Sequence, residues 1–230
     1  MSTVLVTAGG TREPIDGVRC IANFSSGRTG AVIADAFAGA GWHVVHVRAS
    51  DAVAATHPDI TVVRYGSVAD LDAACRSVLG GAEPVHCVVH AAAVSDFVVA
   101  AVVVDGVRHD APLVGKLDSA KELSVQLVPA PKILPRLKGY SASGEPVLVG
   151  FKLTNGASAA AQQMAVDAQF ERSPVDLVVH NDLTEMDHRN DRHAATIHSR
   201  AGVVATAATN AELASALVEH VTALVAVDRR

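Results

Sequence analysis

TVLVTAGGTREPIDGVRCIANFSSGRTG, residues 3–30, runs a buried strand into two small-residue loops and then a helix. Val4–Val6 is an uninterrupted apolar run of the kind found in central parallel strands. Gly9 and Gly10 let the backbone pass close to an anion with no side chain between. Ser25 or Ser26 is placed to cap the helix that follows. Gly27 and Gly30 keep its first turn slim, so free N–H groups and the positive dipole end face whatever lies above the sheet. Such an arrangement handles phosphates. It matches neither the G-x-G-x-x-G dinucleotide fingerprint nor the G-x-x-x-x-G-K-[ST] loop. Thr11–Ala22, between the two loops, carries Arg12, Glu13, Asp16 and Arg19, more charge than a tight turn needs. The competing reading is an ordinary crossover whose glycines only permit packing.

Outward from this stretch, strands and helices alternate. Thr29–Gly41 is an Ala-rich amphipathic helix, and His43–Val47 and Thr61–Arg64 are the second and third strands. Ser67 and Asp70 form a capping box for a helix running to Gly80 and Gly81. Val85–Ala92 is a fourth strand; Val147–Leu153 and Asp176–Asn181 are two more, separated by a helix over Ala157–Phe170. Thr196–Thr206, broken at Gly202, is a terminal hairpin. Thr209 and Glu212 open a last helix with Leu213, Leu217, Val221 and Leu224 on one stripe. Alternation of this kind implies a doubly wound, mainly parallel, Rossmann-like α/β sheet, with ligands beyond the carboxyl ends of its strands. Thr7–Gly10, Ala92–Phe97 and His180–Asp182 end strands there and should converge. Residues 98–123, holding Gly106, Gly115, Lys116, Asp118 and Lys121, are too long for a tight connection and read as a lid loop or a surface insertion.

Composition sets the frame. A chain of 230 residues, half of them hydrophobic, can bury a full core as a single domain spanning 1–230. A net charge of −5 with five Phe, two Tyr and one Trp argues against a nucleic-acid surface. Cys20, Cys75 and Cys87 form no C-x-x-C pair and suit reduced thiols in a cytoplasmic protein. No export signal and no apolar run of ~18 residues is apparent, so no membrane partner is expected. His43 and His46 lie on opposite faces of one strand and cannot jointly chelate a metal. His188 and His193 fall in a polar connection, and Cys87 is a small core residue.

Taken in order, these segments resemble phosphopantothenoylcysteine synthetase, the ligase of coenzyme A biosynthesis, over nearly the whole chain. The T-x-G-G-T-x-E-x-I-D loop falls on Thr7–Asp16 and the V-R-x-I-x-N-x-S-[ST]-G segment on Val18–Gly27. The A-A-V-[AS]-D-[YF] motif is Ala92–Phe97, the K-[IL] lysine is Lys116, V-G-F is Val149–Phe151 and A-N-D is His180–Asp182. Gly150-Phe151-Lys152-Leu153 and Lys116-Leu117-Asp118-Ser119 are closer to the single-function branch than to the bifunctional bacterial pattern; Asp118 and Lys152 are departures of unassigned role.

The resemblance implies that 4′-phosphopantothenate and L-cysteine are joined at the expense of a nucleoside triphosphate, CTP before ATP, with Mg²⁺, through an acyl-nucleotide, by a homodimer. It makes Asn23, Lys116 and Arg19 the catalytic set. Gly9, Gly10, Thr11, Ser25, Ser26, Gly27, Ala92, Ala93, Asp96, Phe151 and Asn181 become the nucleotide contacts, and it leaves the metal ligands unassigned. Rival readings are a short-chain NAD(P)-dependent reductase or a non-catalytic nucleotide-binding module. The first lacks its Y-x-x-x-K pair, since Ala69 follows Tyr65 and Gly144 follows Tyr140 at that spacing.

Overall fold

The computed structural model describes residues 1–117, 122–187 and 192–228. In chain order the elements are β1 (Thr3–Ala8), β2 (Arg12–Pro14), β3 (Cys20–Ala22), α1 (Arg28–Gly39), β4 (His43–Ala49), β5 (Thr61–Tyr65), α2 (Val68–Leu79), β6 (Cys87–His90), β7 (Phe97–Val104), β8 (Val107–Asp110), β9 (Leu123–Pro129), β10 (Val147–Thr154), α3 (Ala159–Arg172), β11 (Leu177–Asp182), β12 (Met186–Asp187), β13 (Arg192–His193), β14 (Ala195–Ser199), β15 (Gly202–Ala207) and α4 (Asn210–Asp228). Eight strands form one sheet in the order β15-β14-β11-β10-β6-β1-β4-β5. The six from β11 to β5 are parallel, and β14 and β15 add the expected antiparallel hairpin at one edge.

Alternation along each strand divides the core between two faces. Val4 and Val6 pack with Ile33 and Phe37 of α1 and with Leu213, Leu217 and Val221 of α4. Leu5 points the other way, into a second cluster with Leu71 of α2 and Phe170 of α3. Each such side chain contributes about 1.5–3 kcal/mol when fully buried. The last helix departs from its expected stripe, because Val225 is buried and Leu224 is 37% exposed. Residues 210–227 have the length and composition of a marginal membrane span, but the buried stripe shows a core helix of a folded domain.

The helix starts are local chemistry. In α2 the Ser67 hydroxyl accepts from the Asp70 amide and the Asp70 carboxylate accepts from the Ser67 amide, the reciprocal box read from the sequence. In α4 the Glu212 amide donates to Thr209, but the Glu212 carboxylate accepts from Ala208 rather than from Thr209. The cap of α1 is Gly27, with no side-chain cap bond. Ser26 reaches only the Arg28 amide, at 3.4 Å. The serines therefore leave most of that helix's first-turn donors available.

Residues 98–123 are not one irregular loop. β7, β8 and β9 form a separate antiparallel sheet in the order β8-β7-β9. The sequence hid this because Phe97–Val104 is too continuously apolar to display alternation. Lys121 and Asp118 lie outside the described residues, as do His188, Arg189, Asn190 and Asp191.

Candidate functional site

The sheet reverses its winding at β1, which has β4 on one side and β6 on the other, so a crevice opens above the carboxyl ends of β1 and β6. A bridge between Gly10 and Ala93 carries that pairing one step past the strands. Beside it lies a cleft of about 660 Å³, walled by residues 23–30 at the start of α1, 90–96 after β6, 132–135, and the ends of β10, α3 and β11.

The glycine loop is built by contact rather than by openness. Gly9 and Gly27 both have positive φ, and a Cβ on either would stand 2.7 Å from the Ala52 Cβ. A Cβ on Gly10 would stand 2.3 Å from the Asn23 carbonyl oxygen. The loop after β4 completes the lock: the Arg48 guanidinium donates to the carbonyls of Ala49 and Ala52, and the Val53 amide donates to Ser26. Thr11 is likewise internal, its hydroxyl accepting from the Ser95 amide at 2.9 Å.

The charges of residues 11–22 turn out to be fastenings. Arg12 pairs with Asp51, and Glu13, its pKa raised by burial, accepts from the Val68 amide at the head of α2. Asp16 accepts from the amides of Val18, Arg19 and Leu117 and from the Arg19 guanidinium at 2.8 Å. Gly17 donates to Gly115 and Leu113 to Ile15, so the segment carrying Lys116 is tied to this turn. These donors, that of Val18 foremost, hold the Asp16 carboxyl down to about 2. A lowered folded value means that the tether is intact above the unfolded carboxyl value of about 3.9 and is lost as pH falls through about 2. Protection of the Leu117 amide, taken relative to the exchange of an unstructured amide at the same pH, should therefore fall from pH 4 toward pH 2 in the native protein. Asp16→Ala should show the low protection throughout; equal protection in both proteins would remove Asp16 from this role.

Of the residues expected to form the site, Asn23, Ser25, Ser26, Gly27, Ala92, Ala93, Asp96, Phe151 and Asn181 line the cleft. Gly9, Gly10 and Thr11 stand behind it as packing. Arg19 and Lys116 are not in its wall; Lys116 is exposed on the tethered segment. Asn23 is exposed, and its side-chain amide bonds no described residue. Asp96 stands immediately before β7 and pairs with Lys132.

Sequence reading passed over most of the charge in the wall. Arg28, Lys132, Lys152 and Arg172 face a single carboxylate, Asp96, within a chain of net charge −5. Arg28 and Arg172 sit in the first and last turns of helices, where exposed arginines are commonplace, and only the fold brings them to one cavity. His90 also lines it; its Nδ1 lies 2.9 Å from the Thr7 hydroxyl, and burial lowers its pKa to about 4, so the ring is neutral at neutral pH. His193 is in the wall too, buried in β13 rather than solvated in a loop. Cys87 is buried in β6 with its thiol pKa pushed up by burial, a core residue as read. Among the described residues no three His, Cys, Asp or Glu side chains form a metal-binding group.

Comparison with known proteins is consistent with this architecture. The chain is 38% identical over 180 residues to the coenzyme A biosynthesis bifunctional protein CoaBC of Thermococcus kodakarensis, covering 78% of this chain and 41% of that protein. It is 26% identical to the CoaBC of Methanocaldococcus jannaschii over 96% of this chain and 51% of that one; the chain thus spans about half, or less, of these curated relatives. Among solved structures, the DNA/pantothenate metabolism flavoprotein from Streptococcus pneumoniae superposes with a TM-score of 0.82 at 24% identity, covering 97% of this chain and all of that one. The complex of Cab2 mutant H337A with phosphopantothenate-cysteine gives 0.72 at 19% identity, over 97% of this chain and 86% of that one. A family model described as the DNA/pantothenate metabolism flavoprotein C-terminal domain matches residues 1–225, and the chain belongs to that family.

Proposed function

We propose that this chain is a phosphopantothenate–cysteine ligase of coenzyme A biosynthesis. The observation that carries the reading is the cleft itself: four cations against one carboxylate, beside a helix N-terminus whose donors are uncapped by side chains. Such a wall attracts and holds polyanions. In the proposed reaction the pantothenate carboxylate oxygen attacks the α-phosphorus of a nucleoside triphosphate; the α–β phosphoanhydride bond breaks and pyrophosphate leaves. The cysteine amine then attacks the acyl carbon, the nucleoside monophosphate leaves and the amine gives up a proton. Both steps depend on positioning and charge neutralisation. Ser25, Ser26 and the backbone at Gly27 would hold the nucleotide with Ala92, Ala93, Phe151 and Asn181, and Asn23 would hold the acyl-nucleotide.

Mg²⁺ would enter with the triphosphate, coordinated mainly by phosphate oxygens and water, because the cleft offers one carboxylate and that one is paired with Lys132. A homodimer is supported by the apolar exposure of the small sheet, at Phe97, Val107, Leu123, Leu127 and Val128. Arg19 and Lys116 lie outside their own chain's cleft and would act there only after the 113–117 segment moves, or in a second copy's cleft. A cytoplasmic setting, with neither nucleic acid nor membrane as partner, fits the acidic composition and reduced thiols.

Pyrophosphate release with phosphopantothenate, cysteine, Mg²⁺ and either CTP or ATP tests the reading. We expect release that requires phosphopantothenate and is faster with CTP. Release with neither nucleotide would return the chain to the class of binding modules, and turnover of NAD(P)H would make it a reductase.

A further inference from the structure

Of the four cations in the cleft wall, Arg28, Lys132 and Arg172 are exposed and only Lys152 is half-buried. Lys152 is half-buried at the end of β10, lines the cleft and has no hydrogen bond or ion pair with any described residue. A lysine whose stem is partly buried in a cleft wall presents its ammonium to whatever occupies the cleft. The candidate partner is close at hand in register, where Lys152 pairs with His180 and Thr154 with Asp182. Asp182, however, is consumed by other donors: the hydroxyls of Thr154 and Thr184 at 2.6 Å each and the amides of Gly156 and Thr184 at 2.8 and 2.9 Å. These bonds hold its carboxyl far below the usual range. The His180 ring opposite Lys152 bonds Thr154 and offers no negative charge, and Glu185, near enough to act on His180, makes no ion pair with Lys152.

Position supplies the second half of the argument. Phe151 packs toward the α1 and α4 face of the sheet. A Cβ on Gly150 would meet Val175 and Gln169 on the α3 face, and alternation puts Lys152 on that same side, with Arg172 at the end of α3 also in the wall. A nucleotide lying against Phe151 and Asn181 passes over the ends of β10 and β11, so an extended phosphate tail continuing toward α3 runs to the side of the cleft that holds Lys152 and Arg172. A flexible ammonium suits a group that must be gripped and then released as pyrophosphate.

We infer that Lys152 binds the β- and γ-phosphates of the nucleoside triphosphate, an inference that rests on the ligase reading above. Affinities of the full chain for CTP with Mg²⁺ and for CMP, measured by calorimetry in native protein, Lys152→Gln and Lys152→Arg, separate the possibilities, with ATP and AMP as a second pair. Expected is a loss of about 10- to 100-fold for CTP in Lys152→Gln, a change under about twofold for CMP, and substantial recovery in Lys152→Arg. In the native protein, CTP but not CMP should protect Lys152 from amine acylation read by mass spectrometry, a check independent of how any variant folds. Unchanged CTP affinity, equal losses for CTP and CMP, or a raised KM for phosphopantothenate alone would each overturn the assignment. Native protein that binds CTP yet releases no pyrophosphate would sink the ligase reading while leaving the Lys152 contact standing.

Discussion

Asn23→Ala should leave the fold and nucleotide affinity nearly unchanged and slow overall turnover by roughly 10²–10³-fold, the usual effect of losing one well-placed donor from a site where charge develops. The amide stands exposed in the cleft wall and bonds no described residue, so its removal breaks nothing in the resting protein. A change in stability within about 0.5 kcal/mol is expected for such a position. Its use must come when a ligand is present. If the amide meets the acyl-nucleotide and its flanking transition states, truncation affects turnover more than ground-state binding. Rapid-quench analysis in the presence of cysteine should then find the acyl-nucleotide accumulating or leaking to hydrolysis. Native turnover in the variant would remove Asn23 from the mechanism.

Gly10→Ala should abolish the proposed ligase activity while leaving the chain folded. The new methyl group would stand 2.3 Å from the Asn23 carbonyl oxygen, and the obstacle is backbone, which cannot rotate aside. Relief needs a displacement of about 1 Å in the segment between β3 and α1 that presents Asn23, and misplacement on that scale can cost ~10²-fold in rate. Overpacking of this kind typically destabilises by about 1–3 kcal/mol, or roughly 2–4 °C in Tm per kcal/mol for a domain of this size. Gly39→Ala is the control: its Cβ meets nothing within 4 Å on α1, and alanine in a helix stabilises by about 0.5–1 kcal/mol relative to glycine. Comparable activity in the two variants would show that the 10–23 contact does not matter to catalysis.

The doubly wound sheet was legible because its central strands are continuous apolar runs and its helices carry capping signals, as at Ser67 and Asp70. The small sheet was not, since Phe97–Val104 reads equally as a buried strand or as part of an insertion, and its partner β9 lies beyond Asp118–Lys121. The glycine loops were legible as special, but the cause differs from the one first read: Gly9 and Gly10 meet Ala49, Ala52 and Asn23, not the cleft. Residues 11–22 advertised charge without saying where it would go, because Arg12, Glu13 and Asp16 find partners at Asp51, Val68 and Leu117, far away in sequence. Lys152 stood out only as a departure from a motif; its lack of a partner depends on how Asp182 is satisfied, which no spacing reveals.

Tyr65 belongs to β5, the outermost parallel strand, yet its buried hydroxyl lies 2.9 and 3.0 Å from the carbonyl oxygens of Ala8 and Gly9. Edge strands are where sheets fray first. One of the sheet's two edge strands therefore underpins the loop at its centre, and a fluctuation that peels β5 away would slacken the glycine turn without touching any residue of the cleft. Catalytic competence would then be governed by a local opening equilibrium at the rim of the domain, smaller in free energy than global unfolding and separate from it.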